Sequence, residues 1–274
     1  MSNLGIIIDD NPISRCYINL LIKYGINVDC VIYLLPKINF FKKIFTFKNF
    51  YKNNYYPLKF LKDKKLQKTI SSIEEFFGYD EGFCREMYKF ENLYKISNNI
   101  TYPNDNLINS SRIFDFLKTQ KKKIYLNTGK QILKEILNTG HDFIHIHPGY
   151  LPKVKGADGT LWHIKNFNYI GVSSFFISSK IDGGKIISRE KFSIPNFEIN
   201  DFKNKDVRTL YRFWYSFFDP LLRGTQLQKL LKIKFDFNQI KNIDISNEKS
   251  SYFSFMDEKE KIEIFRKVFS DNYK

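Results

Sequence analysis

From its first residues the chain sets apolar runs and polar stops in a strand–helix–strand rhythm. Leu4–Ile8 is a short β-branched run and predicts a fully buried strand. Asp9, Asp10 and Asn11 offer N-cap oxygens and Pro12 suits a first helical turn, so residues 14–24 predict a helix that Gly25 stops. Residues 28–34 predict a second strand. Two strands joined through one helix make a βαβ unit, which implies a parallel sheet with helices on its faces.

Residues 36–95 are dense in Phe, Tyr and Lys, and amphipathic helices fit best over 73–77 and 83–90. After "TYPNDN", residues 110–119 predict a helix and 123–126 a strand. Thr128-Gly129 then predicts a turn, and residues 131–137 a helix stopped by Gly140. Residues 143–146 form a short apolar strand running into "HIHPGYLP", and 171–177 and 185–194 are further strands. Past residue 198 the pattern turns helical. "VRTLYRFWYSFFDPLLRGTQLQKLL" predicts a helix broken at Asp219-Pro220, and "DEKEKIEIFRKVF" an amphipathic helix. The expected organisation is an α/β domain over 1–198, with a helical insertion over 36–100, and a mainly helical region over 199–274.

With 274 residues, 43% of them apolar and 17% aromatic, the chain can bury a sizeable core, which excludes a disordered tail. Its formal charge of +15 would suit phosphate, but lysine is spread along the chain beside Asn, Ile, Phe and Tyr. That spread reads as compositional bias, and nucleic acid is not the expected partner. Cys16, Cys30 and Cys84 form no CxxC pair, so neither a disulfide framework nor a zinc knuckle is indicated. No apolar run approaches the roughly 18 residues of a membrane span. The start MSNLGIIIDD lacks the build of a signal peptide, and the reducing cytoplasm is the expected location.

His145 and His147 share one face of a strand, and Pro148-Gly149 ends that strand at once. In an open parallel sheet, ligands bind outside the carboxyl ends of the strands. The two imidazoles can be site residues there or satisfied strand-end residues, and His-x-His alone is weak as a metal pattern. Asp182, followed by Gly183-Gly184, could reach a neighbouring histidine or serve only its own turn.

Together "FIHIHPGYLPKVKGADGTLWHI" and "IGVSSFFISSKIDGGKII" resemble the core of the folate-dependent formyltransferases, the family of the glycinamide ribonucleotide, methionyl-tRNA and nucleotide-amino-sugar enzymes. That family carries Asn-x-His at a strand end, then Leu-Pro, and later an Asp in an L/I-D-x-G turn. His147 takes the place of the family histidine, Leu151-Pro152 of the Leu-Pro, Gly156 of the next glycine and Asp182 of the aspartate. The resemblance follows the element order over residues 4–195, with its sharp motifs in 123–195. It implies a Rossmann-like, mainly parallel sheet with helices on both faces and a mainly helical C-terminal extension. The departure is His145, standing where the family has its catalytic asparagine.

The implied reaction is attack of a primary amine on the formyl carbon of 10-formyltetrahydrofolate, with no metal. By resemblance His147 relays the proton, Asp182 orients it, and His145 replaces the asparagine as oxyanion donor. The pterin would lie between Lys130, Gln131, Ile132 and Leu133 on one side and Ile177, Ser178, Ser179 and Ile181 on the other, although Ile132 and Leu133 also suit a helix core. The amine acceptor would approach past Asp10, Asn11 and Arg15, with Asp9 and Ser14 beside them, and past Gly149 and Tyr150. Lys153 and Lys155 flank that path or are simply solvated.

The expected substrate is a small-molecule amine, foremost an amino sugar, nucleotide-linked or free, for a surface glycan. A methionyl-tRNA enzyme is the alternative, but its C-terminal β-barrel is not expected in residues 200–274. A folate-fold binding protein that has lost catalysis at His145 is another. A basic RNA-binding protein is a third, and a homodimer is left open.

Overall fold

The computed structural model describes residues 4–35, 42–199, 205–236 and 243–270. Its first half builds the parallel rhythm: β1 (Leu4–Ile8), α1 (Pro12–Lys23) and β2 (Cys30–Tyr33), with all residues of both strands buried. The insertion follows as α2 (Lys42–Asn53), α3 (Tyr55–Lys62), α4 (Gln67–Phe76) and α5 (Phe83–Met87), returning to the sheet at β3 (Ile100–Thr101). Next come α6 (Ser111–Lys118), β4 (Ile124–Asn127) and β5 (Asp142–His147), then β6 (Lys155–Gly156) and α7 (Gly159–Phe167). The remaining elements are β7 (Ile170–Phe176), β8 (Ile186–Phe192), β9 (Phe197–Glu198), α8 (Val207–Phe213), α9 (Asp219–Lys232), β10 (Tyr252–Phe253), α10 (Glu258–Val268) and β11 (Phe269–Ser270).

Among the described residues seven strands form one sheet in the order β3-β2-β1-β4-β5-β7-β8. Pairing is parallel from β3 to β5, whereas β7 runs antiparallel to both β5 and β8. The fold is thus the expected Rossmann-like α/β sheet. Its two faces are sorted by strand alternation. Leu4, Ile6, Ile8, Ile144 and Ile146 pack with α1 and α9, while Ile7, Tyr125 and Phe143 pack with Ile113 and Leu117 of α6. No helix of the described residues is long and apolar enough to cross a membrane.

Two expectations need correction. Residues 131–137 do not form a helix; only a 3₁₀ turn, Glu135–Thr139, follows β4. Side chains hold the segment away from helical pairing. Gln131 accepts from the Ile108 amide and donates to the Asn106 carbonyl, while Asn109 donates to the Ile132 carbonyl and accepts from the Lys134 amide. Nor does Pro220 break its helix. The chain runs from α8 into α9 through a π-helical segment, Trp214–Phe218. Proline has no N–H for the carbonyl four residues back, and the Tyr88 hydroxyl from α5's far end donates to that Ser216 carbonyl instead.

The described part of 205–270 is mainly helical, with two-residue strands β10 and β11 pairing β6 and β9. It is stapled to the sheet domain by Asp158. That buried carboxylate accepts from Tyr211, Tyr215 and the Met256 amide at 2.6, 2.9 and 3.0 Å. The parts of the expected insertion and C-terminal region over 36–41, 200–204, 237–242 and 271–274 lie outside the described residues.

Candidate active site

The carboxyl ends of β1, β4 and β5 lie on one edge because the three strands run parallel. His147, the last residue of β5, is buried, and its Nε2 stands 3.0 Å from the Val154 carbonyl. A carbonyl only accepts, so Nε2 carries the proton and Nδ1 keeps its lone pair in the neutral ring. Nδ1 faces Asp182 Oδ2 at 3.6 Å. Burial lowers the basicity of His147, with the Asp182 charge opposing it. Proton uptake at Nδ1 would therefore create an ion pair where none exists.

Glycine shapes the wall around this ring. A Cβ at Gly149 would stand 2.5 Å from His147 Nε2 and 2.8 Å from the Val154 carbonyl oxygen. Asp182 itself has φ 46°, the left-handed region, and its Oδ2 accepts from the Gly156 amide at 2.8 Å. Burial would raise the Asp182 pKa, but His147 and that amide hold the carboxyl below its ordinary value. At Gly184 a Cβ would fall 1.6 Å from the Phe176 carbonyl oxygen, so the β7–β8 connection demands glycine there.

His145 is partly buried, edge-on to Phe175. Its Nδ1 lies 3.3 Å from the Asn127 carbonyl and its Nε2 3.4 Å from Nη1 of Arg223. Burial and the Arg223 charge push its pKa down to about 3. The other two histidines are structural. His163 Nε2 accepts from the Tyr150 amide at 2.6 Å, and His141 bridges the Lys123 amide and the Leu117 carbonyl.

The residues expected around folate lie on two loops. Lys130, Gln131 and Ile132 are exposed beyond β4, whereas Leu133 is buried against α6. Ile177, Ser178, Ser179 and Ile181 lie on the β7–β8 loop; the Ile177 amide donates to the Phe143 carbonyl, and Ile181 is 45% exposed.

On the acceptor side, the structure removes Asp10 and Arg15 from the free surface. Both are buried and ion-paired to each other, and Tyr33 donates to Asp10 as well. Asn11 caps α1 through the Ser14 amide at 2.9 Å, so that helix end already has its acceptor. Asn53 and Asn54, at the α2–α3 junction, donate to the Asp9 and Asp10 carbonyls at 2.7 Å each and close the insertion over this corner. Asp9 remains partly open beside Lys130, and burial raises its pKa to about 6 against the pull of that lysine. Tyr150 lies under Arg189 and Lys191, 4.5 and 4.8 Å from its ring centre, while Arg189 is paired with Glu248.

Sequence reasoning missed Asn127, Asp219 and Arg223. The one available signal was the Asp219–Arg223 spacing of four on a helix, which sets opposite charges on one face. Among the described residues no group of three His, Cys, Asp or Glu side chains could hold a metal ion.

No protein-family model matches the sequence, and comparison with curated proteins finds no match. Among solved structures the chain is similar to an N-formyltransferase from Helicobacter canadensis in complex with folinic acid and dTDP-3-aminofucose. Identity is 18% over 93% of this chain and 71% of that one, with a TM-score of 0.47. A sugar N-formyltransferase from a Shewanella species is 15% identical over 92% and 76%, TM-score 0.47. A 4-N formyltransferase from Francisella tularensis is 17% identical over 92% and 76%, TM-score 0.46. These likenesses are distant in sequence and in superposition, so the residues of the site carry the functional reading.

Proposed function

We propose that the protein is a folate-dependent N-formyltransferase that moves a formyl group from 10-formyltetrahydrofolate to the primary amine of an amino sugar. The observation that carries the reading is the His147–Asp182 pair at the carboxyl edge of β5, with an Nδ1 lone pair facing a carboxylate. Amine attack on a formyl carbon creates a zwitterionic, tetrahedral adduct whose ammonium must lose a proton. A buried neutral imidazole whose protonated form is met by a carboxylate suits that task. The exposed loops 130–132 and 177–181 are the folate side in this reading, and Asp9, Gly149 and Tyr150 border the acceptor side. The mainly helical described part of 205–270 favours a small acceptor over a tRNA.

The test is incubation with 10-formyltetrahydrofolate and a panel of nucleotide-linked 3-amino and 4-amino sugars. Release of tetrahydrofolate with a formamido sugar in the mass spectrum is expected for at least one acceptor. Folate binding with no transfer to any of them would leave a binding protein.

A further inference from the structure

Arg223, carried by α9, puts a guanidinium at the corner of the candidate site. Its Nε donates to Asp219 Oδ2 at 2.8 Å, one turn earlier on the same helix. Its Nη1 donates to the Ile146 carbonyl and stands 3.4 Å from His145 Nε2. A guanidinium has only donors, so Nε2 must present its lone pair. The Asn127 carbonyl has only acceptors, so Nδ1, 3.3 Å away, must carry the proton. One neutral tautomer satisfies both neighbours, and it leaves neither ring nitrogen free to donate to a third group. The resemblance made His145 an oxyanion donor; its neighbours here do not leave it one to give.

We propose that Arg223 is a positioning residue of the site: its guanidinium locks His145 as the neutral Nδ1–H tautomer and itself supplies the fixed positive charge at this corner. Two residues thereby divide what one amide does in the formyltransferases, the imidazole filling the space and the guanidinium carrying the charge. Only the consequence for turnover rests on the formyl-transfer reading; the tautomer does not.

The charges around His145 agree with this. Arg223 and His147 oppose protonation of the ring, Asp182 favours it, and burial with Arg223 prevails. Burial works against the Arg223 charge as well, but Asp219 holds it more firmly protonated than an ordinary arginine. An arginine is suited to this place because it stays charged where a buried lysine would give up its proton.

The test uses the full chain with 15N-labelled histidine and long-range 1H–15N correlation, beside steady-state kinetics. In the parent, His145 should appear as the Nδ1–H tautomer and stay neutral into strongly acidic buffer; an Nε2–H signal overturns the proposal. Arg223→Gln should mix the tautomers and move the His145 titration upward. Because that change strands the buried Asp219 charge, the Asp219→Asn/Arg223→Gln double variant is measured as well, and it should show the same spectral change.

For transfer, either variant should lower kcat by about 10²-fold, the scale of misplacing a group at a reacting centre, with KM for the folate donor within about twofold. Arg223→Lys should restore little of the loss, because a lysine buried there would give up its proton. A folded variant with an unchanged His145 spectrum would make Arg223 only a tie between α9 and β5. If no acceptor is ever found, the formyl-transfer reading fails while the spectra still decide the positioning role.

Discussion

His147 turns one nitrogen to a carbonyl and the other to a carboxylate: Nε2 lies 3.0 Å from the Val154 oxygen and Nδ1 lies 3.6 Å from Asp182. The ring can therefore gain a proton only toward Asp182. Removing that charge by Asp182→Asn should lower the basicity of His147 further, since Asp182 now works to raise it. The acidic limb of kcat/KM should move to lower pH, and its plateau should fall by about 10²–10⁴, the range of lost general acid–base catalysis. A pH–rate profile of parent and variant checks both. A limb that stays in place would mean that His147 is not the titrating base.

Asp9 gives a stability prediction with a definite sign. Its carboxyl is raised from 3.8 to about 6, chiefly by burial, so the folded state holds this proton more tightly than the unfolded one. The contribution favours folding fully below about pH 4 and is lost as pH rises through about 6. Asp9→Asn should leave the midpoint of thermal unfolding unchanged near pH 3.5 and raise stability by about 1–3 kcal/mol above pH 7. Thermal melts across that range read the crossover, and an equal gain at every pH would point away from titration.

Gly149→Ala should keep the fold and damage the site. The added methyl meets the His147 ring and the Val154 carbonyl. One of them must move, at about 1–3 kcal/mol for overpacking. The expected result is soluble protein with a modestly lower melting temperature and a kcat reduced out of proportion to it.

Tyr88 and Pro220 should be coupled although they lie on different helical segments. Tyr88→Phe leaves the buried Ser216 carbonyl without the hydroxyl that replaces proline's missing N–H. A loss of about 1–3 kcal/mol is expected. Pro220→Ala supplies a backbone donor from the same chain turn, so the double variant should recover part of the loss. Urea unfolding of the four proteins in a double-mutant cycle measures the coupling, and strict additivity would show that the hydroxyl does not stand in for the missing N–H.

What the sequence made legible follows from what is local. Leu4–Ile8 and residues 28–34 announce buried strands because β-branched runs have few other solutions, and Asn11-Pro12 announces a helix start. The meeting of His147 with Asp182 was reachable through the family resemblance, not from spacing. Residues 131–137 misled because their helical pattern is genuine, yet Gln131 and Asn109 bond across to another segment. No window of sequence contains that competition. Asp10 and Arg15 misled in the same way. Charged residues at a helix start suggest a ligand, and only the fold shows them neutralising each other in the interior. Arg223 stayed hidden because it reaches His145 across 78 residues of chain.

Asp158 and Arg223 have a consequence for the order in which the protein comes alive. A ribosome makes β1, β4 and β5 first, and domains generally begin folding before synthesis ends. The sheet and its His147 can thus exist on the nascent chain while the guanidinium opposite His145 has yet to emerge. Asp158 waits with an unpartnered carboxylate until Tyr211, Tyr215 and the Met256 amide are made and close over it. Their arrival fastens the late helices down and brings Arg223 to the edge of β5. Built this way, the candidate site gathers its last charge from its own last third, and a chain released short of α9 would carry His147 and Asp182 without the guanidinium beside His145.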